Sequence, residues 1–366
     1  MTAEALAKHP LWHAVGIGMQ PYARLAFRIE SHGGAGFRFD RGLLIAVTHR
    51  AETDPPILIA ELYRHARPWL DRNQRIHFAA RDDMFERGFF GGFPLSLPGA
   101  ARRLLYPLEI GRYLPMVRVH PIGSAKRMKL AQALHRVDPR TPLPPIVAVR
   151  FEPARPRTAA DALRSEFAVQ LWQDVDRDSF PLAEAWAFRA AEARAQFGTL
   201  VDLMRAGEPL VLFPEGKPSP DGAVGPLQAG VRLLVRRGRP ARISPWAIAY
   251  DPLVRGRTKA IVSLRPQVAP NLDHPDEQVL SELKLAMPVT CASAVAHALV
   301  TGADPAGALD VAVEVAHEEG RHVERVLQTA DGRRARLAEC LEAVSAKRTD
   351  RLLHRLAREF ESAREP

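Results

Sequence analysis

The residues with the clearest chemical potential stand where an apolar run ends. Leu43–Val47 leads through Thr48 into His49-Arg50-Ala51-Glu52-Thr53-Asp54-Pro55-Pro56. Histidine titrates nearest neutrality, and a carboxylate beside it can fix its tautomer and stabilise the imidazolium formed when it takes a proton. His49 and Asp54 therefore read as a general base and its partner. On a continuous helix their separation would put the side chains roughly 140° apart, so the chain must turn between them, with Asp54 near a helix start. Asp before Pro is also what a helix cap looks like, in which case Asp54 is structural and His49 a bystander. The same spacing recurs at His77 and Asp82, but His77 falls inside its apolar run, where a side chain packs.

A second apolar run, Leu210–Phe213, ends in Pro214-Glu215-Gly216-Lys217-Pro218-Ser219. Gly216 permits close backbone approach, and Glu215 and Lys217 can hydrogen-bond or charge-pair a polar ligand. The same Pro-Glu-Gly also makes a plain turn.

The elements that must position these residues follow from the apolar pattern. Strand-like runs at Leu43–Val47, Arg75–Ala79, Leu114–Val119, Ile146–Phe151, Leu210–Phe213, Ile243–Tyr250 and Ala260–Leu264 alternate with helical stretches at Pro55–Ala66, Ala190–Arg205 and Pro226–Arg237. That alternation predicts an α/β layered fold, whose strand ends expose functional side chains. From about residue 276 the strands stop. Leu337, Leu341 and Val344, then Leu352, Leu356 and Phe360, form the stripe of amphipathic helices. The uncharged run Leu285–Ala303 is long enough to span a bilayer, but Pro288, Thr290, Ser293, His297 and Thr301 within it predict a buried helix.

Composition narrows the function classes. With 46% hydrophobic and 25% charged residues the chain is neither disordered nor collagen-like, and its net charge of +9 calls for an anionic partner. Residues 101–140 concentrate that charge, with nine Lys and Arg against Glu109 and Asp138. Just upstream, Gly88–Ala101 is uncharged and rich in Phe and Leu. Such a loop beside cations suits a membrane interface, with Phe89, Phe90 and Phe93 inserting, or a buried loop beside a solvated basic face. Two cysteines, Cys291 and Cys340, form no metal-type cluster and fit a reducing compartment, and the N-terminus has no signal-peptide pattern, so a cytoplasmic protein is expected. His32-Gly33-Gly34 looks like a lipase oxyanion loop, but no Gly-x-Ser-x-Gly elbow accompanies it, which excludes a serine hydrolase of that kind. Charge alone supports nucleic-acid binding, without any recognition signature.

Taken together, strand-His-x4-Asp and strand-Phe-Pro-Glu-Gly resemble the glycerophosphate acyltransferase family, which includes the bacterial 1-acyl-glycerol-3-phosphate acyltransferases. The resemblance covers about residues 40–255. It implies an α/β fold with a mixed sheet flanked by helices, followed here by a C-terminal helical extension. Residues 1–39 then form a helical, membrane-proximal segment, 40–275 the acyltransferase domain with an insertion near 124–195, and 276–366 the helical region. The resemblance further implies His49 as base and Asp54 as its orienting partner. The acyl donor is an acyl-CoA or acyl-carrier protein, and the acceptor a glycerophosphate or lysophospholipid. Neither metal nor cofactor is implied, nor nucleic acid as a partner. The expected place is the inner face of the cell membrane, bound peripherally to its anionic surface. Glu215, Gly216 and Lys217 fall at the acceptor site, although the family's usual Thr-Arg-Ser after Phe-Pro-Glu-Gly is Lys217-Pro218-Ser219, and lysine lacks the bidentate geometry of arginine. The family's mid-chain phosphate-binding Arg has two counterparts, Arg118 and Arg177. A basic protein that binds nucleic acid or another anionic ligand without catalysis is the alternative.

Overall fold

The computed structural model describes residues 11–34, 37–70, 76–89, 98–219, 221–346 and 350–364. The strands in chain order are β1 Arg28–His32, β2 Leu43–Val47, β3 His77–Arg81, β4 Val119–Ile122, β5 Met128–Lys129, β6 Asp174–Val175, β7 Leu210–Leu212, β8 Arg242–Asp251 and β9 Lys259–Leu264. Two compact units form, one holding His77–Asp202 and the other Lys8–Ile76 together with Leu203–Pro366.

In the larger unit the strands lie in the order β1-β9-β8-β2-β7. β2 runs parallel to both of its neighbours and β1 parallel to β9, while β8 and β9 pair antiparallel. The sheet is therefore mixed and mostly parallel, flanked by helices. β2 shows no polar alternation because both its faces are covered: all of its residues are buried, as are those of β9. Register decides what emerges at the edge. Ala46 lies opposite Leu212 and Val47 opposite Trp246, so the chain leaves β2 and β7 side by side while β8 continues to Asp251. Three residues beyond the Ala46–Leu212 pair come His49 and Glu215.

The segment before residue 40 contributes more than helix. After the helix Leu11–Ala26, β1 pairs with β9 and extends the sheet. Beyond residue 275 the chain is helical, as the periodicity predicts, with helices Pro275–Ala286, Cys291–Thr301, Pro305–Glu318, Ala330–Ala346 and Asp350–Arg364. The run Leu285–Ala303 is divided between two of them. Thr290 caps the second, its Oγ1 accepting from the Ser293 N–H at 3.1 Å. No helix among the described residues is long and apolar enough to cross a membrane. Leu356 and Phe360 are buried in the core formed by these helices, and Leu337, Leu341, Val344 and Leu352 pack against it.

The smaller unit pairs β3 with β4 in parallel and β5 with β6 antiparallel, over a core that includes Leu130, Leu134, Phe151, Leu171 and Phe180. Two expected strands are helical. Leu114–Val117 is a 3-10 turn with β4 starting only at Val119, because Pro115 fixes its own φ and has no N–H for a ladder. Pro145–Ala148 begins a short helix that continues as a 3-10 turn to Phe151, with Pro145 in the first helical position that proline favours. The basic stretch is not one solvated face either: Arg102 and Lys129 are buried, and Arg136 is held by Glu86 at 3.3 Å and Glu192 at 2.6 Å. Phe89 is a core residue, buried with its ring centroid 5.6 Å from that of Trp172, and so is not free to insert into a bilayer. Phe90 and Phe93 lie outside the described residues.

Phe360 is 5% exposed, with its ring 5.1 Å from that of His297. Truncating a buried aromatic loses its transfer energy and leaves a cavity, so Phe360→Ala should cost about 3–5 kcal/mol of stability in urea unfolding. A loss below about 1 kcal/mol would show that the C-terminal helix is not packed as described.

Candidate active site

At the end of β2 the chain turns back so that the helix starting at Asp54 points its first carboxylate at the loop it has just left. Asp54 is fully buried, and its Oδ2 accepts from the N–H of Arg50, from the N–H of Ala51 at 2.8 Å and from His49 Nδ1 at 2.9 Å. Oδ1 accepts from the Tyr250 hydroxyl at 2.6 Å. The three Oδ2 bonds run back to residues 49–51, and among the described residues no bond of the carboxylate goes forward into the first helical turn. The side chain thus binds the loop it has just left rather than the first turn of its own helix. An ionised carboxylate only accepts, so Nδ1 presents its N–H to Asp54, and in the neutral imidazole Nε2 then holds the lone pair. The His49 ring is further fixed by stacking on Phe213, with centroids 4.5 Å apart.

Tyr250 comes from the far part of β8, beyond its register with β2. Burial first, and the Asp54 charge second, push its hydroxyl well above the usual phenol range. It therefore stays protonated and remains a donor to Asp54, with Thr53 Oγ1 3.0 Å away on its other side.

The Pro214–Ser219 turn is bound to the same place. The Ser219 N–H donates to the His49 carbonyl at 3.1 Å, and Gly216, at φ +73°, takes the left-handed conformation that glycine accepts without strain. Glu215 is 4% exposed, and its Oε1 lies 3.4 Å from the His49 N–H and 3.3 Å from Arg50 Nη2. Its Oε2 has no hydrogen-bond partner among the described residues. Lys217 is exposed. His49, Asp54, Glu215 and Gly216 are thus gathered at one strand edge. Arg118 and Arg177 belong to the smaller unit: Arg118 sits half-buried at φ +59° just before β4, and Arg177 is exposed in a turn. The second His-x4-Asp pair does not form, since His77 Nδ1 bonds His120 Nε2 at 2.8 Å and Asp82 pairs with Arg189.

Three residues at the larger unit's site escaped the sequence reading. Arg50 is buried and donates to the carbonyls of Gly222 at 2.6 Å and Ala223 at 2.7 Å as well as to Glu215, which ties the two loops together. Its place inside the His-x4-Asp stretch was the signal available. Tyr250 was legible only as the last aromatic of a strand run. Glu359, buried on the last helix, had no local signal at all.

Burial dominates the ionisation of both glutamates. It pushes Glu215 up to about 7, aided by Asp54 and Asp221 and opposed by Arg50 and the His49 N–H. It likewise pushes Glu359 to about 7, with Asp54 and Asp251 reinforcing and Arg50 and Arg355 opposing. No group of three or more His, Cys, Asp or Glu side chains among the described residues is arranged to hold a metal ion.

No protein-family model and no curated protein matches the chain. Among solved structures the chain is similar to the crystal structure of the 1-acyl-sn-glycerophosphate (LPA) acyltransferase PlsC from Thermotoga maritima. The two are 12% identical, with a TM-score of 0.39 over 76% of this chain and 79% of that chain.

The two raised carboxyls set a pH dependence. Between their ordinary value of 4.5 and about 7, the folded protein keeps protons that the unfolded chain has released. The stability they confer is therefore full below that window and falls as pH rises through it. Replacing Glu359 by Gln should make the thermal midpoint fall less steeply with pH across the window than in the wild type. Identical slopes in differential scanning fluorimetry would contradict the buried setting of Glu359.

Proposed function

We propose that this protein is an acyltransferase that moves a fatty acyl group from acyl-CoA or acyl-carrier protein to a hydroxyl of a glycerophosphate or lysophospholipid. The observation that carries the reading is the His49–Asp54 hydrogen bond of 2.9 Å, made by a fully buried carboxylate at a strand edge shared with Phe213-Pro214-Glu215-Gly216. In the reaction, His49 Nε2 takes the proton of the acceptor hydroxyl as its oxygen attacks the thioester carbonyl. Asp54 stabilises the imidazolium that results. The tetrahedral intermediate then collapses, the carbon–sulfur bond breaks, and the imidazolium proton passes to the departing thiolate. One ester and one thiol form, and His49 returns to its starting state.

The acceptor site in this reading uses Glu215, Gly216 and Lys217 of the larger unit, while Arg118 and Arg177, the resemblance's two candidates for a phosphate, lie in the smaller unit. Glu215 is held by Arg50 away from bulk water, so its role in this reading is to shape the loop beside His49. The exposed Lys217 supplies charge to a phosphate without the two-pronged geometry of arginine. The excess of basic side chains, among them the exposed Arg103, Arg112, Lys126 and Arg127, supports peripheral association with an anionic membrane surface.

Thiol release measured across a panel of lysophospholipids and glycerol 3-phosphate tests the reading. The wild type should consume acyl thioester with at least one acceptor, and His49→Ala should slow turnover by about 10²–10⁴ while remaining folded. Asp54→Asn should also reduce turnover strongly, because an amide does not stabilise an imidazolium by charge. A folded His49→Ala protein with wild-type turnover would overturn the assignment.

A further inference from the structure

The helix Asp350–Arg364 reaches the His49 loop from the far end of the chain. The guanidinium of Arg355 donates from Nη2 to the carbonyl of Arg50. That carbonyl belongs to the peptide whose N–H, on Ala51, donates to Asp54 Oδ2 at 2.8 Å. Asp54 Oδ2 is also the oxygen that receives His49 Nδ1 at 2.9 Å. One peptide plane is thus pinned at both ends, by an arginine on its oxygen and by the buried carboxylate on its nitrogen. A guanidinium on the carbonyl also polarises the peptide and strengthens the N–H it presents to Asp54.

The docking of this helix is specific at several further points. Ser362 Oγ accepts from the Val224 N–H at 2.8 Å. Gly222, at φ +87°, lies so close that a Cβ there would be 2.5 Å from the Arg355 carbonyl oxygen. Gly222 and Ala223 supply the carbonyls that hold Arg50. The helix therefore grips both sides of Arg50, one through its carbonyl and the other through the loop its side chain binds. One turn on from Arg355, Glu359 is buried and acts electrostatically with Arg50, Asp54 and Asp251.

We propose that Arg355 is a positioning residue for the His49–Asp54 pair, acting through the peptide that joins Arg50 to Ala51. Its bond goes to the Arg50 carbonyl and not to the His49 ring. Its effect is to hold the donor that fixes Asp54, and through it the ring of His49. The inference rests on the acyl-transfer reading for its kinetic readout only, and the experiment includes one signal that does not depend on activity.

The experiment compares wild type, Arg355→Ala, Arg355→Lys and Arg351→Ala, an exposed change on the same helix. Arg355→Ala should lower kcat on the order of 10-fold to 100-fold with little change in KM, the signature of a misplaced reacting group. Lysine should recover part of the loss, and Arg351→Ala should match the wild type. In the Asp54→Asn background, Arg355→Ala should add almost nothing, since the two act as one unit. The ¹⁵N resonances of the His49 ring, followed by NMR, should shift in Arg355→Ala and not in Arg351→Ala. Full additivity in the double variant, or unchanged kcat and unchanged His49 resonances in a folded Arg355→Ala protein, would overturn the proposal. If the wild type releases no thiol with any acceptor, the acyl-transfer reading fails. The His49 resonances then decide on Arg355 alone, a shift upholding it and no shift overturning it.

Discussion

A carboxylate taken fully out of water persists in its charged form only where donors replace its hydration shell, and around Asp54 four do so. The N–H groups of Arg50 and Ala51, the His49 ring and the Tyr250 hydroxyl converge on its two oxygens. Each donor constrains something larger. The two backbone bonds shape the turn between β2 and the helix at Asp54, the tyrosine ties that turn to β8, and the histidine is held in the tautomer whose free nitrogen can act as a base. Losing any one of them would leave a buried charge short of a partner, at a cost of about 1–3 kcal/mol or more.

The parallel arrangement of β7, β2 and β8 makes this convergence geometric necessity. Adjacent parallel strands release their chains at the same edge, and the pairing of Ala46 with Leu212 sets His49 beside Glu215. Arg50 then locks the two loops together. Buried and shared between Glu215 and the carbonyls of Gly222 and Ala223, it supplies positive charge that both Glu215 and Glu359 experience. A buried guanidinium of this kind does little for net stability, yet removing it would strand several acidic groups, so its effect is to specify one arrangement.

Much of this was legible along the chain, for reasons that differ from residue to residue. β2 and β7 are continuous apolar runs and β8 and β9 are largely apolar, as burial on both faces of a sheet requires wherever they fall in the fold. His49, Asp54 and Glu215 were legible because they stand immediately beyond those runs. The stripe of Leu352, Leu356 and Phe360 marked its helix but gave no hint of where that helix docks. Arg355 and Glu359 lie about three hundred residues from His49, and only the tertiary fold brings them to it. Apolar composition misled at Leu114–Val117 and Pro145–Phe151, where prolines overrode aliphatic content. Of the two settings open to the Phe-rich loop, Phe89 takes the buried one, against Trp172, which is remote in sequence.

The central claim is that His49 directs the acyl group onto a hydroxyl. Its most direct measurement is the stoichiometry of thiol released to ester formed, followed by mass spectrometry with and without a lysophospholipid or glycerol 3-phosphate acceptor. The account predicts one ester per thiol, with no appreciable thiol release when the acceptor is omitted. Thiol released at the same rate without acceptor, and fatty acid in place of ester, would contradict it.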